Sequence, residues 1–334
     1  MMYKQILYIG NNHTKNPTTL KILSSFLSKE GFKMYKSSNK VNKFLRLLDM
    51  CFCILNLRKK VDYVLIDTYS TSNFYYAFFC SQLARFFKLK YISILHGGNL
   101  PYRLEKSPKM SKLIFKNSYI NISPSEYLKY EFEKKGYLVQ KISNTLEIEN
   151  YSFIKREKIA PKLLYVRAFD KVYNPLMAIE VLRKLVKIYP EAKLCMIGPD
   201  KDGSLKKAEE LVLKYNLLNN IEITGFLSKK EWHKKAEEYD IFINTTNLDN
   251  TPVSVIEAMA LGLPVISTSV GGIPYLIENK EDGLLVAKND VEKMVTCVIS
   301  LIDGNHKNIT INARKKVEKF GWEHLRTDWL KILN

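Results

Sequence analysis

The chain has 334 residues, 46% hydrophobic and 26% charged, an ordinary globular composition with room for about two domains, which excludes a disordered, collagenous or coiled-coil protein. Lys and Arg outnumber Asp and Glu by 52 to 34, a net charge of +18, and the excess is one-sided: residues 1–150 hold 24 basic and 10 acidic side chains, residues 151–334 hold 28 and 24. Five cysteines (Cys51, Cys53, Cys80, Cys195, Cys297) lie scattered in apolar runs with no C-x-x-C pair, which excludes a disulfide scaffold, argues against zinc and reads as buried thiols in a reducing compartment.

Short β-type runs alternate with helix-period runs along the chain. The first half predicts strands over 5–9, 63–67, 91–95 and 119–123 and helices over 18–30, 75–87 and 126–135. Ser125 suits the last helix as N-cap and Gly136 as terminator. Residues 1–10 carry no small-residue cleavage site. The most apolar stretch, 74–87, is broken by Ser81, Gln82 and Arg85, well short of the ~20 apolar residues that span a bilayer. The expected location is cytoplasmic, with peripheral contact at the inner face of the membrane. The membrane term comes from residues 41–60, where Phe44, Leu45, Leu47, Leu48, Met50, Cys51, Phe52, Ile54 and Leu55 mix with Lys43, Arg46, Arg58, Lys59 and Lys60. Such a helix either lies on an anionic membrane surface or packs in a core with a solvated basic flank. A basic half also suits phosphate-bearing partners. No nucleic-acid-binding motif accompanies it, so nucleic acid is not an expected partner.

The second half predicts strands over 162–166, 193–197, 221–224, 241–244, 264–267 and 283–286, with helices over 175–188, 205–215, 229–238, 253–261 and 291–301. This is the alternation of an α/β fold with doubly wound parallel sheets. Residues 144–161 read as the connection between two such domains, and 308–333 as a closing helix carrying Trp322 and Trp329.

Ligands of doubly wound sheets bind beyond the carboxyl ends of the strands. After 241–244 come Thr251, Pro252 and Val253 at a helix start, whose free N–H groups can hold a phosphate. Glu257, about one turn further in, offers a carboxylate to a ribose diol. The string from Asp249 to Pro274, with Glu257, Gly262, Pro264 and the pair Gly271-Gly272, followed by Asp282-Gly283, resembles the signature of glycosyltransferase family 4. That signature has an acidic residue, seven others, then Glu; here Asp249 stands where the family usually has Glu.

The resemblance implies a GT-B fold: two Rossmann-like doubly wound domains facing a central cleft, with a C-terminal helix crossing back to the N-domain. It implies an acceptor domain over 1–150 plus about 320–334, and a nucleotide-sugar domain over 151–319. In the run Val166 to Pro175, Arg167 and Lys171 would meet the leaving diphosphate. Tyr173 stands near the family's usual Lys, so either Lys171 takes the job or Tyr173 donates a weaker hydrogen bond. Gly225 and Phe226 would border the base, and His96, in Leu95-His-Gly-Gly, and Asp249 would contact the donor sugar. Gly10, in the first strand's loop, is a partial match. Asp200-x-Asp202 reads as a helix-capping turn rather than a metal site, and His233, His306 and His324 as solvated.

The function so implied is a retaining, hexosyl-type glycosyltransferase in cell-surface glycan synthesis. It would use a nucleotide-sugar donor as co-substrate and a lipid-linked or oligosaccharide acceptor, with no metal and no cofactor. The alternatives are a GT-B epimerase or phosphorylase, or an inactive membrane-docking homologue. A nicotinamide enzyme is disfavoured because no strand runs into G-x-G-x-x-G.

Overall fold

The computed structural model describes residues 4–12 and 18–334; residues 1–3 and His13 lie outside them. The chain forms two compact units, one reaching to Thr145 and including Trp322–Asn334, the other Leu146–Gly321.

The first unit is built on a parallel sheet of β1 (Gln5–Ile9), β2 (Lys33–Ser37), β3 (Tyr63–Thr68), β4 (Lys90–Leu95), β5 (Ile120–Ser123) and β6 (Val139–Lys141), in the order β2-β1-β3-β4-β5-β6. Its helices are α1 (Thr19–Lys29), α2 (Lys43–Leu57), α3 (Asn73–Phe86), α4 (Leu100–Lys106), α5 (Pro108–Phe115) and α6 (Glu126–Glu133). All of β3 and all but the first residue of β4 are buried, because helices cover both faces of a parallel sheet; such strands read as unbroken apolar runs. The strands the sequence reading passed over, β2 and β6, are the two edges. The β2 segment Lys-Met-Tyr-Lys-Ser is half exposed and β6 has three residues, so neither carries an apolar period.

Helix α2 packs Met50 and Ile54 into the core, with Leu47, Cys53 and Leu57 against it, but it also buries an arginine and leaves large apolar side chains outside. Its buried residues are Arg46, Met50 and Ile54. Phe44 is 68% exposed, Phe52 60%, and Leu45 and Leu48 about half. Arg46 can be buried because each of its three nitrogens donates a hydrogen bond: they reach the carbonyls of Lys40 and Val41 and Asn11 Oδ1 at 2.8–2.9 Å. Of the five cysteines, all free thiols, Cys51 and Cys53 are only half buried on this helix while the other three are buried. Burial pushes the Cys195 thiol up to about 12.

The second unit repeats the plan with β7 (Lys162–Val166), β8 (Lys193–Ile197), β9 (Ile221–Gly225), β10 (Ile241–Asn244), β11 (Val265–Thr268) and β12 (Leu284–Val286), in the order β12-β11-β10-β7-β8-β9. Around it lie α7 (Pro175–Leu185), α8 (Ser204–Lys214), α9 (Lys229–Lys235), α10 (Val253–Ala260), α11 (Ile273–Leu276), α12 (Val291–Ile302) and α13 (Ile309–Glu318). In each sheet the strand order reverses once, at β1/β3 in the first and at β7/β10 in the second. A crevice at the strand carboxyl ends is expected there.

The single helix expected over 308–333 is two helices. The Phe320 carbonyl leaves the helical ladder to accept the Leu146 N–H at 2.9 Å, and after Gly321 the chain restarts as α14 (Trp322–Leu333). Helix α14 lies on the first sheet's helices. The Trp322 ring stacks on Phe26 with centroids 5.1 Å apart, its indole N–H donates to Glu30 at 3.0 Å, and Leu325, Trp329 and Ile332 join the core that holds Ile6, Tyr8 and Leu23.

Candidate active site

At the reversal in the second sheet, β7 delivers Arg167 and β10 delivers the loop to Asp249. Arg167 and Asp249 form an ion pair, with side chains 14% and 16% exposed. The guanidinium carbon also lies 4.5 Å from the centroid of the Tyr173 ring. Burial lowers the Arg167 pKa from its ordinary value, but a guanidinium starts high enough to stay charged. The result is a planar cation fixed at a strand carboxyl end, a geometry suited to two phosphate oxygens.

The loop holding Tyr173 is strapped to the loop after β10. The Thr245 hydroxyl donates to the carbonyls of Tyr173 and Asn174 at 3.0 and 2.8 Å. The Thr246 hydroxyl and the Asn247 N–H both donate to the Val172 carbonyl, and the Asn247 amide to that of Lys171. Asp202 completes the strap by accepting the Lys171 N–H at 3.1 Å. Lys171 is therefore pinned by its main chain while its side chain is exposed. Asp202 also accepts from the Ser204 N–H, and Asp200 from the Gly203 N–H, both at 3.1 Å. Both carboxylates thus serve the turn before α8. Among the described residues no group of three or more His, Cys, Asp or Glu is arranged to hold a metal ion.

The pair Gly271-Gly272 lies against the other side of the Asp249 loop. A Cβ on Gly271 would sit 2.1 Å from the Asp249 carbonyl oxygen, and one on Gly272 2.2 Å from that of Asn250. Gly271 is also left-handed, at φ +53°. The Gly272 N–H donates to the Asp249 carbonyl at 2.9 Å. Only glycines allow this approach, and it fixes where Asp249 meets Arg167.

Helix α10 starts from Pro252, whose fixed φ suits the entry. Near that start the Thr251 and Ser254 hydroxyls are buried without a hydrogen-bond partner among the described residues. Both hydroxyls can therefore serve a polar group at the helix start. Glu257, one turn on, is 3% exposed. Its Oε1 accepts from the Tyr151 hydroxyl at 2.8 Å and pairs with the Lys229 ammonium. Burial, and then Glu257 itself, raise the Tyr151 pKa, so the phenol stays a donor. His233 packs its ring 4.9 Å from that of Tyr151 and 4.4 Å from Trp232. This corrects the expectation of a solvated His233: α9 turns that face toward Glu257, and burial lowers the imidazole's pKa. Gly225, left-handed at φ +72°, closes β9, and the next residue, Phe226, is 60% exposed.

In the first unit, His96 follows β4 and is 6% exposed. Its Nε2 lies 2.8 Å from Asp67 Oδ1, the oxygen that also accepts the Tyr8 hydroxyl at 2.8 Å. The Tyr69 ring stacks on the imidazole at 4.7 Å. Gly10 closes this group from the β1 side, since a Cβ there would come within 2.5 Å of Asp67 Oδ2.

Sequence reasoning missed Asp67, Tyr8, Tyr151 and Lys229. Asp67 and Tyr8 were hidden inside apolar strands. Tyr151 lies in the stretch read only as a connection. For Lys229 there was a signal: the helix expected over 229–238 starts at it, beside the Gly225 loop and after Ser228, which forms a capping box with Glu231, but the residue was not read as part of the site.

Residues 147–318 match the family model described as glycosyl transferases group 1. The chain belongs to that family. Among curated relatives of this family member, the amylovoran biosynthesis glycosyltransferase AmsK of Erwinia amylovora is 26% identical over 252 residues, 71% of this chain and 61% of the relative. An Escherichia coli UDP-Gal:alpha-D-GlcNAc-diphosphoundecaprenol alpha-1,3-galactosyltransferase is 23% identical over 194 residues, 53% and 48% of the two chains. The chain spans about six tenths of the length of the first relatives it matches. Of solved structures, sucrose-phosphate synthase from Thermosynechococcus elongatus superposes with a TM-score of 0.82 at 17% identity over 98% of both chains. Anabaena HepE in complex with UDP-glucose superposes with 0.78 at 13% identity over 99% of both. The fold is therefore that of the two-domain, Rossmann-like GT-B glycosyltransferases. No helix among the described residues is long and apolar enough to cross a membrane.

Proposed function

We propose that this family member is a retaining, family 4-type glycosyltransferase that moves a hexose from a nucleotide-sugar to a hydroxyl on a lipid-linked or oligosaccharide acceptor in cell-surface glycan synthesis. The observation that carries the reading is the Arg167–Asp249 pair at the strand-order reversal, beside a helix start with two unsatisfied hydroxyls and ahead of the buried Glu257. Breaking a sugar–diphosphate bond builds negative charge on the leaving oxygen, and a fixed guanidinium in a water-poor site stabilises it. Glu257 would accept hydrogen bonds from the ribose, Asp249 and His96 would contact the sugar, and the departing phosphate would take the acceptor's proton. The names of AmsK and of the diphosphoundecaprenol galactosyltransferase support the acceptor class. The UDP-glucose complex of HepE supports the donor class.

Turnover against a panel of UDP-, GDP- and ADP-sugars with a polyprenyl-diphosphate sugar acceptor tests the reading. Transfer with retained anomeric configuration, undiminished by EDTA, is expected. Binding of donor without transfer or hydrolysis would leave only the inactive homologue, and a net epimerised or phosphorolysed product would favour the alternative enzymes.

The outer face of helix α2 supports a membrane partner. Phe44, Leu45, Leu48 and Phe52 stand in solvent beside Lys43, Arg58, Lys59 and Lys60, and the neighbouring α3 adds the exposed Phe79 and Phe86. Aromatic and leucine side chains flanked by lysines suit the headgroup boundary of an anionic inner leaflet. The protein is expected to co-sediment with phosphatidylglycerol vesicles at low salt. Binding should fall at least ~10-fold for Phe44→Ser/Phe52→Ser, since roughly 1.5–3 kcal/mol accompanies each buried large apolar side chain. Equal binding to neutral vesicles, or no effect of the double change, would remove the membrane term.

A further inference from the structure

The proposed donor site carries two carboxylates, and each is already matched by one cation. Arg167 pairs with Asp249 and Lys229 with Glu257. A donor brings a diphosphate, so a site that is neutral in the free protein needs a cation that can change partners. Arg167 is poorly placed to do so: it is sandwiched between Asp249 and the Tyr173 ring. Lys171, expected from the sequence to meet the diphosphate, has its main chain strapped at both N–H and carbonyl and its side chain in solvent; it is paired with neither carboxylate, so it has no partner to exchange.

Lys229 differs in three respects. It sits in the first turn of α9, immediately after a capped start, so its backbone is fixed while its stem is free. Its side chain is 32% exposed above a carboxylate that is 4% exposed, so the ammonium lies at the boundary between solvent and the buried acid. And it shares its acceptor: Oε1 of Glu257 takes both the Tyr151 hydroxyl and Lys229. A carboxylate oxygen has two lone-pair sites, so this one is full. A ribose diol binding to both oxygens of Glu257 must displace one donor. Tyr151 is 6% exposed and wedged against His233; Lys229 is the donor that can leave.

We propose that Lys229 is an exchangeable cation of the donor site: it neutralises Glu257 in the free protein and transfers to the donor's diphosphate when ribose hydroxyls take its place on the carboxylate. The ribose carries that diphosphate on its own C5′, so the ammonium needs only to swing about its stem. Glu257 exchanges one set of donors for another and is never left buried and unpaired, an arrangement that would otherwise be costly. The inference rests on the nucleotide-sugar reading above, and its test separates the two.

Calorimetric titration of the wild type with UDP, GDP and ADP comes first. If none binds, the nucleotide-sugar reading fails and this inference with it. With the nucleoside diphosphate that binds, Lys229→Met is expected to raise the Kd about 10- to 30-fold and the donor KM in parallel, with kcat within about threefold. Lys229→Arg is expected to recover most of the affinity. In the Glu257→Gln background, where Lys229 has no carboxylate to neutralise, adding Lys229→Met is expected to weaken binding about 10-fold further. Tighter or unchanged binding by Lys229→Met would make Lys229 only a competitor for Glu257 and overturn the proposal. So would equal affinity of Glu257→Gln and the double variant, since the loss would then come from a stranded carboxylate alone.

Discussion

Replacing Arg167 with Ala is expected to lower the rate of sugar transfer by 10²–10³-fold, because one preorganised donor aimed at developing anionic charge contributes on the order of that factor. Arg167→Lys should recover part of the rate, since a point charge replaces half of what a two-pronged planar fork supplies. The Ala variant also leaves the Asp249 carboxylate, 16% exposed, without its cation. Arg167→Ala/Asp249→Asn removes that penalty, and its rate should stay as low as that of Arg167→Ala. Single-turnover transfer at saturating donor reads the chemical step. Full activity in Arg167→Ala would refute the leaving-group role.

Gly271→Val should destabilise the second unit by about 3 kcal/mol and lower its melting temperature by roughly 6–12 °C, the scaling for a unit of this size. Two costs combine. The φ of +53° is a region a β-branched residue avoids, and the new Cβ would begin 2.1 Å from the Asp249 carbonyl. The loop at Asp249 must move to accommodate it, carrying the carboxylate away from Arg167, so activity should fall beyond the loss of folded protein. Thermal melting by circular dichroism, with activity normalised to folded fraction well below the transition, separates the two effects. A melting temperature within 2 °C of wild type would mean that the loop yields freely and that the close approach does not fix the site.

The second sheet was legible strand by strand because its strands are apolar runs bounded by turns and its helices keep a 3.6-residue period. Glu257 was legible from its place one turn into a helix at a strand end, where such folds bind ligands, and Arg167 and Asp249 from the family 4 resemblance of the strings around them. The edge strand β2 was not, since its lysines and single methionine obey no burial pattern. Nor was the break at Phe320, which depends on the Leu146 N–H, a hydrogen bond spanning most of the second unit.

Composition, periodicity and motif spacing by themselves determined an α/β chain of two doubly wound sheets, a basic first half and the acid–seven–acid string from Asp249 to Glu257, because these follow from local pattern. Tertiary structure decided which charges pair. Arg167 with Asp249, Lys229 and Tyr151 with Glu257, and Asp67 with His96 and Tyr8 are contacts between distant segments, set by strand order and by where each buried polar group finds a partner. It also decided that α2 buries its arginine and exposes its phenylalanines. The helical period fixes which residues share a face; only the neighbouring loop, with carbonyls to satisfy a guanidinium, settles which face turns inward.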